Sequence, residues 1–124
     1  MPNFSKRSLT NLSQCHPDLQ KIAHEAIKEF DFVVICGHRN KADQEEAFRK
    51  GASKVHWPNS MHNKKPSLAF DAYPYPIPKK VADWDTPEYL AKFAQMRSVF
   101  KAVARRLGIN VRTIGWDKPH LELA

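Results

Sequence analysis

The segment Leu68-Ala69-Phe70-Asp71-Ala72-Tyr73 constrains the fold of this chain more than any other. Its apolar and aromatic residues read as a strand, yet a carboxylate stands in the middle, where an aspartate is unfavourable. If that carboxylate is buried, it needs a cation or a metal beside it. The fold must therefore bring polar partners to this strand.

The rest of the chain supplies regular elements around it. Residues 1–16 are polar with scattered apolar positions and read as a loop packing at the edge. Pro17 suits a first helical turn and Asp18 suits the helix dipole; Leu19, Ile22, Ala23, Ala26, Ile27 and Phe30 then predict a helix over 17–30. Phe32-Val33-Val34-Ile35-Cys36 is a short β-branched run, a buried strand ending at Gly37. Asn40 caps a helix over 41–50 that stops at Gly51. Residues 51–68 form an irregular loop, and a loop that long in a small domain is usually functional or disordered. Pro74, Pro76 and Pro78 hold an extended segment. Thr86-Pro87-Glu88 starts the longest helix, 87–107, whose apolar stripe runs to Gly108. Val111-Arg112-Thr113-Ile114 and residues 120–123 are closing strands. The sum is an α+β fold, three helices on a small antiparallel sheet, in one domain spanning 1–124.

Bulk properties narrow the function classes. No run approaches the length of a membrane span, and the N-terminus lacks the apolar core of a signal peptide, so synthesis in the cytoplasm is expected. Cys15 and Cys36 are too few for a disulfide framework, and Cys36 reads as a small buried hydrophobe. The net charge of +7 draws the chain to polyanions: nucleic acid, anionic lipid or an anionic cell wall. The cations are spread along the chain, and neither zinc-finger spacing nor an aromatic RNA-binding signature is present.

The polar residues suggest a metal centre. A hydrolytic zinc takes three protein ligands and leaves a position open. His62, Asp71 and His120 are the best trio, since each adjoins a predicted strand that can hold it in place. His56, six residues before His62, is its main rival; six is not a helical same-face spacing, so one of the two serves and not both. Asp117, three residues before His120, is the candidate proton acceptor and reads equally as a turn residue of Trp116-Asp117-Lys118-Pro119. Glu122 shares a strand face with His120 and is either a partner orienting it or a solvated charge. Arg39, at a strand end, either holds substrate charge or bridges to Asp43 or Glu45. Gln44 is a lesser candidate for the same substrate role.

These residues resemble a known pattern. Ser60-x-His62, then Ala69-Phe70-Asp71, then Asp117-x-x-His120-x-Glu122-Leu123, with Gly37-His38-Arg39 upstream, is similar to the signature of small zinc peptidases. These are the VanY-like D-Ala-D-Ala carboxypeptidases and the phage endolysins that cut L-alanyl-D-glutamate bonds. The likeness spans about residues 18–124. It implies the hedgehog/DD-peptidase fold and one zinc ion held by His62, Asp71 and His120. It makes Asp117 the catalytic base and places Arg39 and Ser60 on the substrate. The substrate it implies is the stem peptide of bacterial peptidoglycan, cut by a monomeric enzyme. Such an enzyme is made in the host cytoplasm and reaches the wall once a holin opens the membrane.

One departure stands out. The interval from His62 to Asp71 is two residues longer than in the family pattern, and Asn63-Lys64-Lys65-Pro66-Ser67 stands where a glycine is expected. A loop insertion accommodates this without moving either ligand. The expected activity is zinc-dependent hydrolysis of the L-alanyl–D-glutamate bond. The rivals are a D-Ala-D-Ala carboxypeptidase with the same centre and a non-catalytic basic module binding cell wall or nucleic acid.

Overall fold

The structure is a computed structural model that describes residues 3–124; residues 1–2 of the expected N-terminal loop lie outside it. Among the described residues, four α-helices and a four-stranded sheet build the α+β architecture expected. The strands are β1 (Phe32–Cys36), β2 (Ala69–Pro74), β3 (Val111–Ile114) and β4 (Asp117–Leu123), in the order β1-β2-β4-β3 with every neighbouring pair antiparallel.

The N-terminal loop reading is corrected. Ser5 caps a helix, α1 (Lys6–Ser13), by accepting from the Ser8 backbone N–H. It buries only Ser8 and Leu12, so it has no apolar stripe to announce it. Instead it seals the edge of the sheet with polar groups. The Val34 N–H donates to Ser8 Oγ at 3.0 Å, and Asn11 Nδ2 donates to the Val34 carbonyl at 2.8 Å. An edge strand otherwise exposes such groups as a template for pairing.

Helix α2 (Pro17–Ala26) is shorter than expected, because the chain turns over 27–30 to deliver Phe32 to β1. Helices α3 (Lys41–Arg49) and α4 (Pro87–Leu107) follow their caps, Asn40 and Thr86, and α4 ends on Gly108 with φ of 71°. The alternative reading of 116–119 as a turn is also corrected, and the closing strand expected over 120–123 begins three residues earlier. Residues 115–116 make a two-residue hairpin turn, and Asp117 already pairs with Ile114 as the first residue of β4. A glycine first in such a turn is a known hairpin signal.

Strand alternation divides the sheet into two faces. Val34, Phe70, Ala72 and Leu121 are fully buried in the core with α2 and α4. Phe100 of α4 meets Phe32 and Phe70 edge-to-face, with centroids 5.0 and 5.5 Å apart. Each such side chain contributes about 1.5–3 kcal/mol by leaving water. The opposite face carries Asp71, His120 and Glu122. There the chain over 51–68, irregular as expected apart from a 3-10 turn at Met61–Asn63, folds across the sheet.

Candidate active site

Asp71 and His120 are directly opposed across β2 and β4, at the middle of the sheet. His62 arrives from above on the 3-10 turn. Ser60 caps that turn: its Oγ accepts from the His62 N–H at 3.2 Å, and its own N–H donates to Asn63 Oδ1 at 3.0 Å. The longer interval before Asp71 is absorbed over 64–67. Ser67 docks on the α1–α2 junction, donating its N–H to the Gln14 carbonyl and accepting from the His16 N–H, both at 2.9 Å.

Three atoms converge. Asp71 Oδ1 lies 3.3 Å from His62 Nε2 and 3.4 Å from His120 Nδ1. Both His62 Nε2 and Asp71 Oδ1 are buried without a hydrogen-bonding partner. The far side of each group is already committed. His62 Nδ1 faces the Gly37 carbonyl at 2.8 Å; a carbonyl only accepts, so Nδ1 carries the hydrogen and Nε2 keeps its lone pair. His120 Nε2 donates to Glu122 Oε1 at 2.7 Å, which leaves Nδ1 with its lone pair. Asp71 Oδ2 accepts from Arg39 Nη2 at 3.1 Å. Two imidazole nitrogens thus flank one carboxylate oxygen, an arrangement that a proton or a metal cation beside that oxygen satisfies.

Electrostatics agree with the geometry. Burial alone would lower the His62 imidazole, but the adjacent Asp71 carboxylate outweighs it and carries the imidazole up to about 10. Burial also opposes ionisation of Asp71, yet His62 and His120 hold it well below the usual carboxylate range. With protons as the only cations, an imidazolium must sit against the carboxylate. A metal cation bound beside Asp71 would take the place of that proton. Cys36, His62 and Asp71, and likewise Asp71, Asp117 and His120, form donor sets that could hold a metal ion.

Asp117 stands at the rim. Its Oδ2 lies 3.7 Å from His120 Nδ1, and its side chain is 20% exposed. Burial, and then the charge of Asp71, push its carboxyl above the ordinary value. The expectation for Glu122 resolves toward the orienting role. It is buried, accepts from His120, and is gripped by Arg112 Nε and Nη2 at 2.9 and 2.6 Å. Burial would raise its carboxyl, but those bonds keep it low.

Other expectations are redirected. Arg39 bridges neither Asp43 nor Glu45; its guanidinium ties Asp71 to Gln44, whose Oε1 accepts from Nη1 at 3.2 Å. Gln44 is fully buried and acts as a post rather than a substrate contact. Its amide also meets Asn63 Nδ2, Ser53 Oγ and the Val55 carbonyl at 2.8–3.1 Å, pinning the loop over the sheet. His56 lies away from the centre, exposed, with Nδ1 at 2.7 Å from Glu45 and its ring stacked on Phe48. Cys36 is not a core residue: it is half-buried, with Sγ 3.9 Å from His62 Nδ1, and Cys15 is the thiol sealed in the core. Both are free, and burial pushes Cys15 up to about 12.

Sequence reasoning passed over Asn63, Arg112 and Trp116. Asn63 occupies the third turn position after Ser60, where a capping partner belongs. Arg112 is visible only once the hairpin register sets it opposite Glu122. The centre lies at the floor of an open cleft. One half, of about 470 Å³, passes His62, Arg112, His120 and Lys54; the other, of about 530 Å³, passes Tyr73, Trp84, Phe93 and Lys118.

This geometry has counterparts among known proteins. A family model described as phage L-alanyl-D-glutamate peptidase matches residues 2–122. The L-alanyl-D-glutamate peptidase of Escherichia phage T5 is 30% identical over 112 residues, covering 88% of this chain and 77% of that protein. The crystal structure of the Serratia marcescens L-Ala D-Glu endopeptidase ChiX matches with a TM-score of 0.75 and 30% identity, covering 98% of this chain and 89% of that one. The buried acceptor cluster therefore sits in a chain that belongs to the phage L-alanyl-D-glutamate peptidase family.

Proposed function

We propose that this chain is a zinc-dependent peptidoglycan endopeptidase that hydrolyses the L-alanyl–D-glutamate bond of the stem peptide. His62 Nε2, Asp71 Oδ1 and His120 Nδ1 hold the single zinc ion, and Asp117 is the catalytic base. One observation carries the ligand assignment: these three acceptors converge in a buried centre with their other atoms already satisfied.

Zinc held there supplies Lewis-acid chemistry, lowering the pKa of a water molecule to about 7 and polarising the scissile carbonyl. The rest falls to the chain. Asp117, with a raised carboxyl at the open rim, takes the proton of the attacking water and passes it to the departing amine. Arg39, at the junction of both cleft halves, fixes Asp71 and offers positive charge to the carbonyl oxygen as it becomes anionic. Ser60 borders the same cleft and presents its hydroxyl to the substrate backbone. Glu122 and Arg112 hold the His120 ring in one orientation.

No helix among the described residues is long and apolar enough to cross a membrane. A monomer made in the host cytoplasm, reaching the wall after a holin permeabilises the membrane, fits the family. The reading is tested with Asp117→Ala. Zinc should remain near one ion per chain while lysis of outer-membrane-stripped cells is lost; full lysis by this variant would sink the assigned base. Mass spectrometry of released muropeptides should show cleavage after L-alanine, whereas loss of terminal D-alanine would identify a carboxypeptidase instead.

A further inference from the structure

The two halves of the cleft differ in charge. They share Arg39, Ala52, Trp116 and Asp117. Beyond these, the first half adds the cations Lys54 and Arg112 against Glu122, while the second adds Lys118 against Asp71 and Asp85. The second half is also walled by Tyr73, Trp84 and Phe93. An anionic part of a substrate is therefore favoured in the first half.

Two cations there are already engaged. Arg39 is tied to Asp71 and Gln44, and Arg112 makes two bonds to Glu122. Lys54 has no ion-pair partner among the described residues. Its Nζ rests 4.4 Å from the centroid of the Trp116 ring, which positions the ammonium without neutralising it. Trp116 sits in the hairpin turn directly before Asp117, and this cation lines the same half of the cleft as the proposed base. A D-glutamyl residue built into a peptide keeps one free carboxylate, whichever carboxyl carries the next bond. In an L-alanyl–D-glutamate substrate that carboxylate lies on the leaving-amine side of the scissile bond.

We infer that the Lys54 ammonium, braced on Trp116, is the specificity-determining contact for the free carboxylate of the D-glutamyl residue. The inference rests on the proposed cleavage reaction and sets the direction of the substrate: the D-glutamyl side over Lys54 and Arg112, the L-alanyl side toward Tyr73 and Trp84.

The test compares two synthetic stem peptides, one with the free D-glutamyl carboxylate and one with that group as a carboxamide. Wild type should favour the carboxylate by roughly tenfold in kcat/KM, as suits an exposed charge-assisted contact, and the preference should shrink with added salt. Lys54→Met keeps a long apolar stem against Trp116 and should bring the ratio close to one; Lys54→Arg should retain it. A general structural effect lowers both rates and leaves their ratio alone. An unchanged ratio in Lys54→Met, or equal rates in wild type, overturns the assignment and leaves the reaction standing. Cleavage of neither peptide by wild type overturns the proposed reaction, and the inference with it.

Discussion

His120 shows how much of the centre is decided by single hydrogen bonds. Its Nδ1 faces Asp71 while Nε2 is held by Glu122, and the bonds from His120 and Arg112 keep the Glu122 carboxyl below its ordinary value despite burial. Glu122→Gln keeps the shape but removes the charge. Zinc affinity should fall about 10- to 100-fold, measured by competition with a chromophoric chelator; equal affinity would mean the ring needs no carboxylate. The two loop histidines give a second prediction. His62→Ala should lose bound zinc, while His56→Ala, which removes a ring exposed beside Glu45, should keep it. Retention by His62→Ala would refute the ligand set. Asp71 was legible because a carboxylate in an apolar strand demands a cation, and His120 and Glu122 because alternation puts them on one face. Arg112 was not, since its partner depends on the hairpin register. Gln44 was legible only as a neighbour of Arg39; its other bonds are to Ser53, Val55 and Asn63, brought near only by the folded loop.

At the scale of elements, β1 is the seam between fold and site. Helices α2 and α4 were readable from apolar stripes and caps, and β1 from its β-branched run. Helix α1 was not, because its inward face uses Ser8 and Asn11 to satisfy an edge strand instead of burying a stripe. That contact explains Gly37. A Cβ there would stand 2.3 Å from the Asn11 carbonyl oxygen and 3.2 Å from Cys15 Sγ. Asn11 cannot yield freely, as its side chain holds Val34. The Gly37 carbonyl in turn accepts from His62 Nδ1 and Ser67 Oγ. Gly37→Ala should therefore cost about 1–3 kcal/mol of stability, as overpacking does. It should also weaken zinc binding by shifting the acceptor that fixes the His62 tautomer. Thermal melting and metal titration check both; a variant that melts and binds like wild type would show that α1 can slide away from β1 at no cost.

For the whole molecule, the centre joins separate elements: the 3-10 turn, β2 and β4 each contribute an atom. His120 is far in sequence from His62 and Asp71, so the full set exists only in the folded state, which a metal therefore binds in preference and stabilises by mass action. With free zinc about a thousandfold above its dissociation constant, the gain is roughly 4 kcal/mol. For a chain of 124 residues that corresponds to a rise in melting temperature of roughly 10–20 °C. Calorimetry of the protein stripped by chelator and then reloaded should show this shift. Zinc should restore it and magnesium should not, since two imidazoles and one carboxylate suit a borderline-soft ion better than a hard one. His62→Ala, lacking one of the three facing acceptors, should lose most of the zinc-dependent rise whatever its own baseline stability. If stripped and zinc-loaded wild type melt together, the three groups are held by a shared proton, and the cluster that constrains this fold is an ion pair and not a metal centre.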